Sequence, residues 1–156
     1  MDFIKEIREK IGHDEIPMVA VTALIFNKSN EILLIKRTDN KKWSLPGGGL
    51  ELREKVMVGL KREVFEETEL IVEKAQLVAI ISGEEGVLKY PNEDIVSYTN
   101  LVFYVEEYNG QIAENSDEAL SINYFGVSNI PENLNSFVEE KMIYKWKFDN
   151  FGLEID

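Results

Sequence analysis

The stretch from Gly47 to Leu70, GGGLELREKVMVGLKREVFEETEL, limits what this chain can fold into more than any other. Three consecutive glycines run into a segment of strong helix formers, and that segment carries Glu54, Glu63, Glu66 and Glu67 with Arg62 among them. Glu63, Glu66 and Glu67 stand at i, i+3 and i+4, so on a helix they share one face within an arc of about 100°. Gly59 lies one turn earlier on that face and adds no side chain to it. Like charges at this spacing repel by ~0.2–0.5 kcal/mol per pair, and no lysine is interleaved on the arc. A hard divalent cation reverses the sign, since Mg²⁺ takes oxygen ligands and keeps several waters. The competing reading is a solvated acidic face, the ordinary meaning of a short Glu-rich run in an acidic protein. The glycine loop and the arginine at fixed spacing favour the metal reading. Val56, Leu60 and Val64, spaced by four, form the stripe that turns the same helix toward a core.

These residues resemble the Nudix box, G-x5-E-x7-R-E-U-x-E-E-x-G-U with U a bulky aliphatic residue. Gly48 opens the pattern, Glu54 follows, and Arg62 and Glu63 take the R-E positions. Val64 is the first U, Glu66 and Glu67 the E-E pair, and Leu70 the last U. One position departs: Glu69 stands where the pattern has its second glycine. A residue there lies just past the helix end, where positive φ is common. Glu69 either accepts the left-handed conformation at a cost of about 1 kcal/mol or the helix ends on another cap. Either way the consequence falls on local stability before activity.

The resemblance implies an α+β fold, an α/β/α sandwich with a mixed sheet and the box as loop–helix–loop. It runs from about Pro17 to Pro131 and includes the LLIKR, WSLPGG and NYFGVSNIP segments. It implies a pyrophosphohydrolase that cleaves the diphosphate of a nucleoside diphosphate linked to another moiety, by water attack on phosphorus. Glu63, Glu66, Glu67 and the Gly47 carbonyl would hold Mg²⁺ or Mn²⁺, and Gly48 and Gly49 would contact substrate. Arg62 would orient neighbouring carboxylates, and Glu54, at the helix N-terminus, would fix the glycine loop or Arg62. The general base is a box glutamate or a loop acid: Glu118 first, because it precedes the strand leading to NYFGVSNIP, with Glu93 and Asp94 as alternatives. Arg37, beside Lys36, either reaches a phosphate or is an ordinary strand charge. The substrate is ADP-ribose-like, a dinucleoside polyphosphate or a (d)NTP, with ADP-ribose-like compounds preferred over oxidised dNTPs. The other function class is a Nudix-fold module that binds a nucleotide without cleaving it. A homodimer is an expectation the family allows.

Composition sets the remaining bounds. The chain has 156 residues, 44% hydrophobic and 29% charged, which suits one domain over 1–156 with a sizeable core. Its formal net charge of -12 argues against long nucleic acids as partners but not against a nucleotide, because a bound metal reverses the local field. Cysteine is absent, which excludes disulfides, thiolate catalysis and zinc–thiolate sites, and His13 is the sole histidine. No leader pattern or membrane-length apolar span is present, so a cytoplasmic address is expected.

Apolar spacing predicts an N-terminal helix within 1–12. Strands are predicted over Met18–Phe26, buried on both faces, and over Glu31–Arg37, the two forming a hairpin across a turn at Asn27–Asn30. A short strand is expected at Leu50–Arg53 ahead of the box helix. Further strands are expected at Ile71–Ile81, Ile95–Glu107 and Ala119–Val127. Ser82–Asp94 reads as one long loop, of a length that is often functional. A C-terminal helix is expected over 135–148, and Trp43 is read as a packing residue beside the glycines.

Overall fold

The computed structural model describes residues 3–135, 143 and 154–155. Phe3, Ile4, Ile7 and Ile11 share one side of helix α1 (Phe3–Ile11), which lies on the outside and buries no residue fully. Next comes β1 (Ile16–Leu24), then β2 (Ile32–Arg37), two short strands β3 (Trp43–Ser44) and β4 (Gly47–Gly49), and helix α2 (Val56–Thr68). Strand β5 (Ile71–Ile81) leads through a 3₁₀ turn at Gly83–Gly86 to β6 (Val87–Lys89), β7 (Ile95–Asn109) and β8 (Ala119–Phe125), with β9 (Glu154–Ile155) last. The larger sheet runs β4-β1-β7-β5-β9, with β6 alongside the start of β7, and the smaller runs β3-β2-β8. β1 and β7 are parallel, and the other large-sheet pairings are antiparallel except β5 with β9.

Alternating side chains on the central strands feed two cores. Val21, Ala23, Leu33, Ile35 and Phe103 pack with Leu60 and Val64 of α2, so the predicted helix stripe meets the sheet. Leu24, Ile32, Leu34, Val78 and Val102 point the other way and pack with Ile143. The central strands are therefore buried on both faces, as an α/β/α sandwich requires. The first halves of β1 and β5 depart, with Val19 and Ile71 exposed, as does Thr99 in β7. The predicted C-terminal helix over 135–148 lies outside the described residues, apart from Asn135 and the buried Ile143.

Three local expectations are corrected. β1 and β2 do turn through Asn27–Asn30, with the Asn27 N–H donating to Glu31 at 3.0 Å. Beyond a bridge between Phe26 and Ile32, however, the strands part into different sheets, β1 running beside β7 along its whole length. A hairpin signal fixes the turn, while the longer partner takes the strand. Leu50–Arg53 is a turn, with Leu52 62% exposed, and the strand is the glycine triplet itself. Ser82–Asp94 is not one loop, because it contains the 3₁₀ turn and β6. Trp43 packs as expected, edge-on against Phe125 at 4.8 Å between ring centres. Among the described residues no helix is long and apolar enough to cross a membrane.

Candidate active site

The site forms where β4 crosses in front of α2. β4 lies antiparallel on β1, with Gly48 opposite Val21. Gly47 has φ +150, and a Cβ there would sit 2.1 Å from the Val21 carbonyl oxygen, so only glycine lets this edge strand close on β1. A Cβ on Gly48 would fall 2.6 Å from the Glu63 carboxylate. The bare backbone is thus what allows the helix carboxylates to approach the strand.

Arg62 ties the pieces together. Its Nε and Nη2 donate to both oxygens of Glu54 at 2.8 and 2.9 Å. Nη1 reaches Glu63 at 2.8 Å and Glu66 at 3.1 Å, and Nη2 also donates to the Gly49 carbonyl at 3.2 Å. The fork geometry of guanidinium suits such multiple, planar contacts. Arg62 holds the Glu54 carboxyl down to about 2, helped by the Glu51 N–H, and the same pairing raises Arg62 further above its ordinary value. Glu54 therefore braces both candidates at once, the arginine and the turn after the glycines.

The three helix glutamates differ in surroundings. Glu66 is half exposed. Glu63 is nearly buried, and burial pushes its carboxyl up against the opposing pull of Arg62. Glu67 is only 2% exposed and accepts a 2.7 Å hydrogen bond from the Gly47 N–H. Burial, only partly offset by that bond, pushes its carboxyl up to about 8, with the nearby charges of Glu63 and Glu118 adding to the rise. A buried carboxylate short of positive partners is a strong demand for a cation. Among the described residues no three acidic side chains converge as a ready-made cage. The donor chemistry nonetheless fits a hard divalent ion, which takes one or two carboxylates and completes its shell with water and phosphate oxygens.

Beside this cluster opens a cavity of about 690 Å³, lined by Gly47, Gly48, Thr22, Arg37, Tyr90 and Asn100 among others. Arg37 stands in its wall, gripped by Asp39 through bonds of 3.0 and 2.8 Å. That pairing raises Arg37 and lowers Asp39 from their ordinary values. Of the candidate bases, Glu118 is exposed and close enough for its charge to act on Glu63 and Glu67. Glu93 lines the cavity. Asp94 is engaged elsewhere, with His13 at 2.7 Å and Arg8 at 3.5 Å, and the structure does not bring it to the glutamates.

Sequence reasoning missed Asp39, whose partner lies two residues away, and the Thr22–Asn100 pair, hydrogen-bonded at 2.9 Å across β1 and β7. The signal was there for Thr22, a polar residue inside an otherwise apolar strand, but not for Asn100, which follows Ser97 and Thr99 in β7. Tyr98, hydrogen-bonded to the Tyr90 hydroxyl at 2.7 Å and raised by burial, gave no comparable cue.

Comparison with known proteins follows the same outline. The family model for the NUDIX domain matches residues 16–146. An ADP-ribose pyrophosphatase of Methanocaldococcus jannaschii is 34% identical over 137 residues, covering 84% of this chain and 75% of that protein. A MutT-like protein of Streptomyces ambofaciens is 33% identical over 116 residues, covering 74% of this chain and 68% of its own length. Among solved structures, a MutT NUDIX hydrolase from Burkholderia pseudomallei superposes with a TM-score of 0.68 at 23% identity, over 83% of this chain and 97% of that one. At that identity the likeness speaks for the fold.

Proposed function

Because the chain belongs to the Nudix family, enzymes that act on phosphoanhydride bonds, we propose that it hydrolyses a nucleoside diphosphate linked to a second moiety, with ADP-ribose-like compounds first. The M. jannaschii relative's name supports that preference. The observation that carries the reading is the buried Glu67 carboxylate on the Gly47 N–H, one strand away from a nucleotide-sized cavity.

Glu63, Glu66, Glu67 and the Gly47 carbonyl would hold Mg²⁺ or Mn²⁺. When bound, the ion neutralises diphosphate charge and lowers the pKa of water. The chain's own residues do the rest. Arg62 sets the orientation of Glu63 and Glu66, and Glu54 holds Arg62. Gly47 and Gly48 present backbone to the diphosphate with no side chain in the way. Arg37, held by Asp39 in the cavity wall, faces the incoming phosphates. Glu118 is the first choice to take the proton of the attacking water, being the acid outside the box whose charge acts on both Glu63 and Glu67. Retention of every box carboxylate sets aside the binding-only reading. The test is a panel of ADP-ribose, dinucleoside polyphosphates and dNTPs with Mg²⁺ or Mn²⁺, scoring AMP or phosphate release. Inertness toward all of them refutes the proposal.

A further inference from the structure

Helix α1 lies outside the segment the family model matches, which begins at residue 16. Yet it is wired to the wall of the cavity. The Arg8 side chain is only 12% exposed, although no residue of α1 is fully buried. Its Nη2 donates to the Ile95 carbonyl at 2.9 Å, and Nη1 donates to the carbonyls of Gly12 and Asp14 at 3.2 and 2.5 Å. Its Nε faces the Asp94 carboxylate at 3.5 Å, and His13 completes the grip on Asp94 at 2.7 Å.

Asp94 closes the turn that walls the cavity. The Tyr90 N–H donates to the Asp94 carbonyl and the Glu93 N–H donates back to Tyr90, both at 2.9 Å. Asn92 donates to the Asp94 carboxylate at 2.9 Å. Tyr90, Pro91 and Glu93 line the cavity beside the glycines. A second cavity of about 440 Å³ lies between α1 and this turn, lined by Ile4 and Arg8 on one side and Tyr90 and Pro91 on the other. The turn has its own hairpin behind it, with Lys89 paired to Ile95 and the Tyr90 hydroxyl bonded to that of Tyr98 at 2.7 Å. Arg8 adds an anchor from outside at its Asp94 end, next to Glu93 with φ 71°.

We propose that Arg8 is a positioning residue for substrate binding: from α1 it holds Asp94 and the Ile95 carbonyl, and so fixes the Tyr90–Asp94 turn that forms one wall of the substrate cavity. The inference rests on reading that cavity as the substrate pocket. Arg8 touches no reacting atom, so its loss weakens binding and leaves the chemical step alone.

The test uses the full chain carrying Arg8→Ala. Hydrogen exchange at the Tyr90 and Glu93 amides speeds about tenfold while the amides of β1 keep their rates. With ADP-ribose and Mg²⁺, KM rises about three- to tenfold and kcat stays within about twofold. Arg8→Lys retains a charge opposite Asp94 but not the fork to three carbonyls, so it restores only part of the loss. Unchanged exchange at Tyr90 and Glu93 overturns the proposal, as does faster exchange throughout β1, which marks Arg8 as merely structural. A fall in kcat with KM unchanged overturns it too. Exchange is read in the resting protein, so failure of the wild-type chain to cleave ADP-ribose bears on the functional reading and leaves the anchoring decided separately.

Discussion

Gly48→Ala separates the role of the glycine strand in chemistry from its role in folding. The added Cβ would stand 2.6 Å from Cδ and Oε2 of Glu63. Restoring ordinary contact requires the carboxylate to retreat by about 0.8 Å. Glu63 can do so by turning its side chain off its rotamer, at about 0.5–1.5 kcal/mol. Its 2.8 Å bond from Arg62 then stretches out of range, while Arg62 keeps Glu54. The total cost is about 1–3 kcal/mol, or a fall in Tm of about 2–12 °C for a chain of this size. On the proposed reading of Glu63 as a metal ligand, activity suffers more, because a displacement of this order at a catalytic group costs about 10²-fold. Gly47→Ala is the control: its Cβ meets the Val21 backbone at 2.1 Å, where nothing flexible can yield, and its φ of +150 is closed to alanine. That variant loses at least about 3 kcal/mol and β4 with it. AMP release from ADP-ribose with Mg²⁺, alongside thermal melts, reads both. A Gly48→Ala protein with more than half of wild-type turnover, or one that melts as early as Gly47→Ala, refutes the reasoning.

Glu67→Gln keeps an amide oxygen to accept the Gly47 N–H, so the fold and its Tm hold while metal-dependent turnover falls by about 10²-fold or more; near-normal kcat shows the assignment wrong. Glu54, whose folded carboxyl is held down to about 2 by Arg62, contributes stability that is complete above its ordinary value near 4.5 and is lost as pH falls from there toward 2. Urea melts between those limits therefore show a steeper acid loss for the wild type than for Glu54→Gln, and parallel curves contradict the pairing. Glu69 is left-handed at φ 63, its N–H bonded to the Phe65 carbonyl at 2.8 Å, so Glu69→Gly relieves about 0.5–1 kcal/mol, raising Tm with turnover unchanged. A lower Tm for that variant shows the conformation is not strained.

How much of this was legible beforehand differs residue by residue. The spacing of Glu63, Glu66 and Glu67 after a glycine run is a local pattern, and helix periodicity turns it into geometry with no help from the rest of the chain. The left-handed option at Glu69 was legible for the same reason, since a helix end imposes its own dihedrals. Strand pairing was not. Nothing between Met18 and Arg37 says that β1 prefers β7, some eighty residues on, to the neighbour across its own turn, because such pairing is decided by which long strands bury the most surface together.

By itself, then, the sequence determined the helix, its carboxylate face, its core stripe and the family those imply. Only the tertiary structure decided that Gly47 is both a strand residue and the donor to Glu67, and that Arg62 gathers Glu54, Glu63, Glu66 and Gly49 on one guanidinium. It also decided that Asp94 answers to α1 rather than to the glutamates. Local periodicity orders neighbours along the chain, whereas burial and long-range hydrogen bonds select which distant neighbours meet.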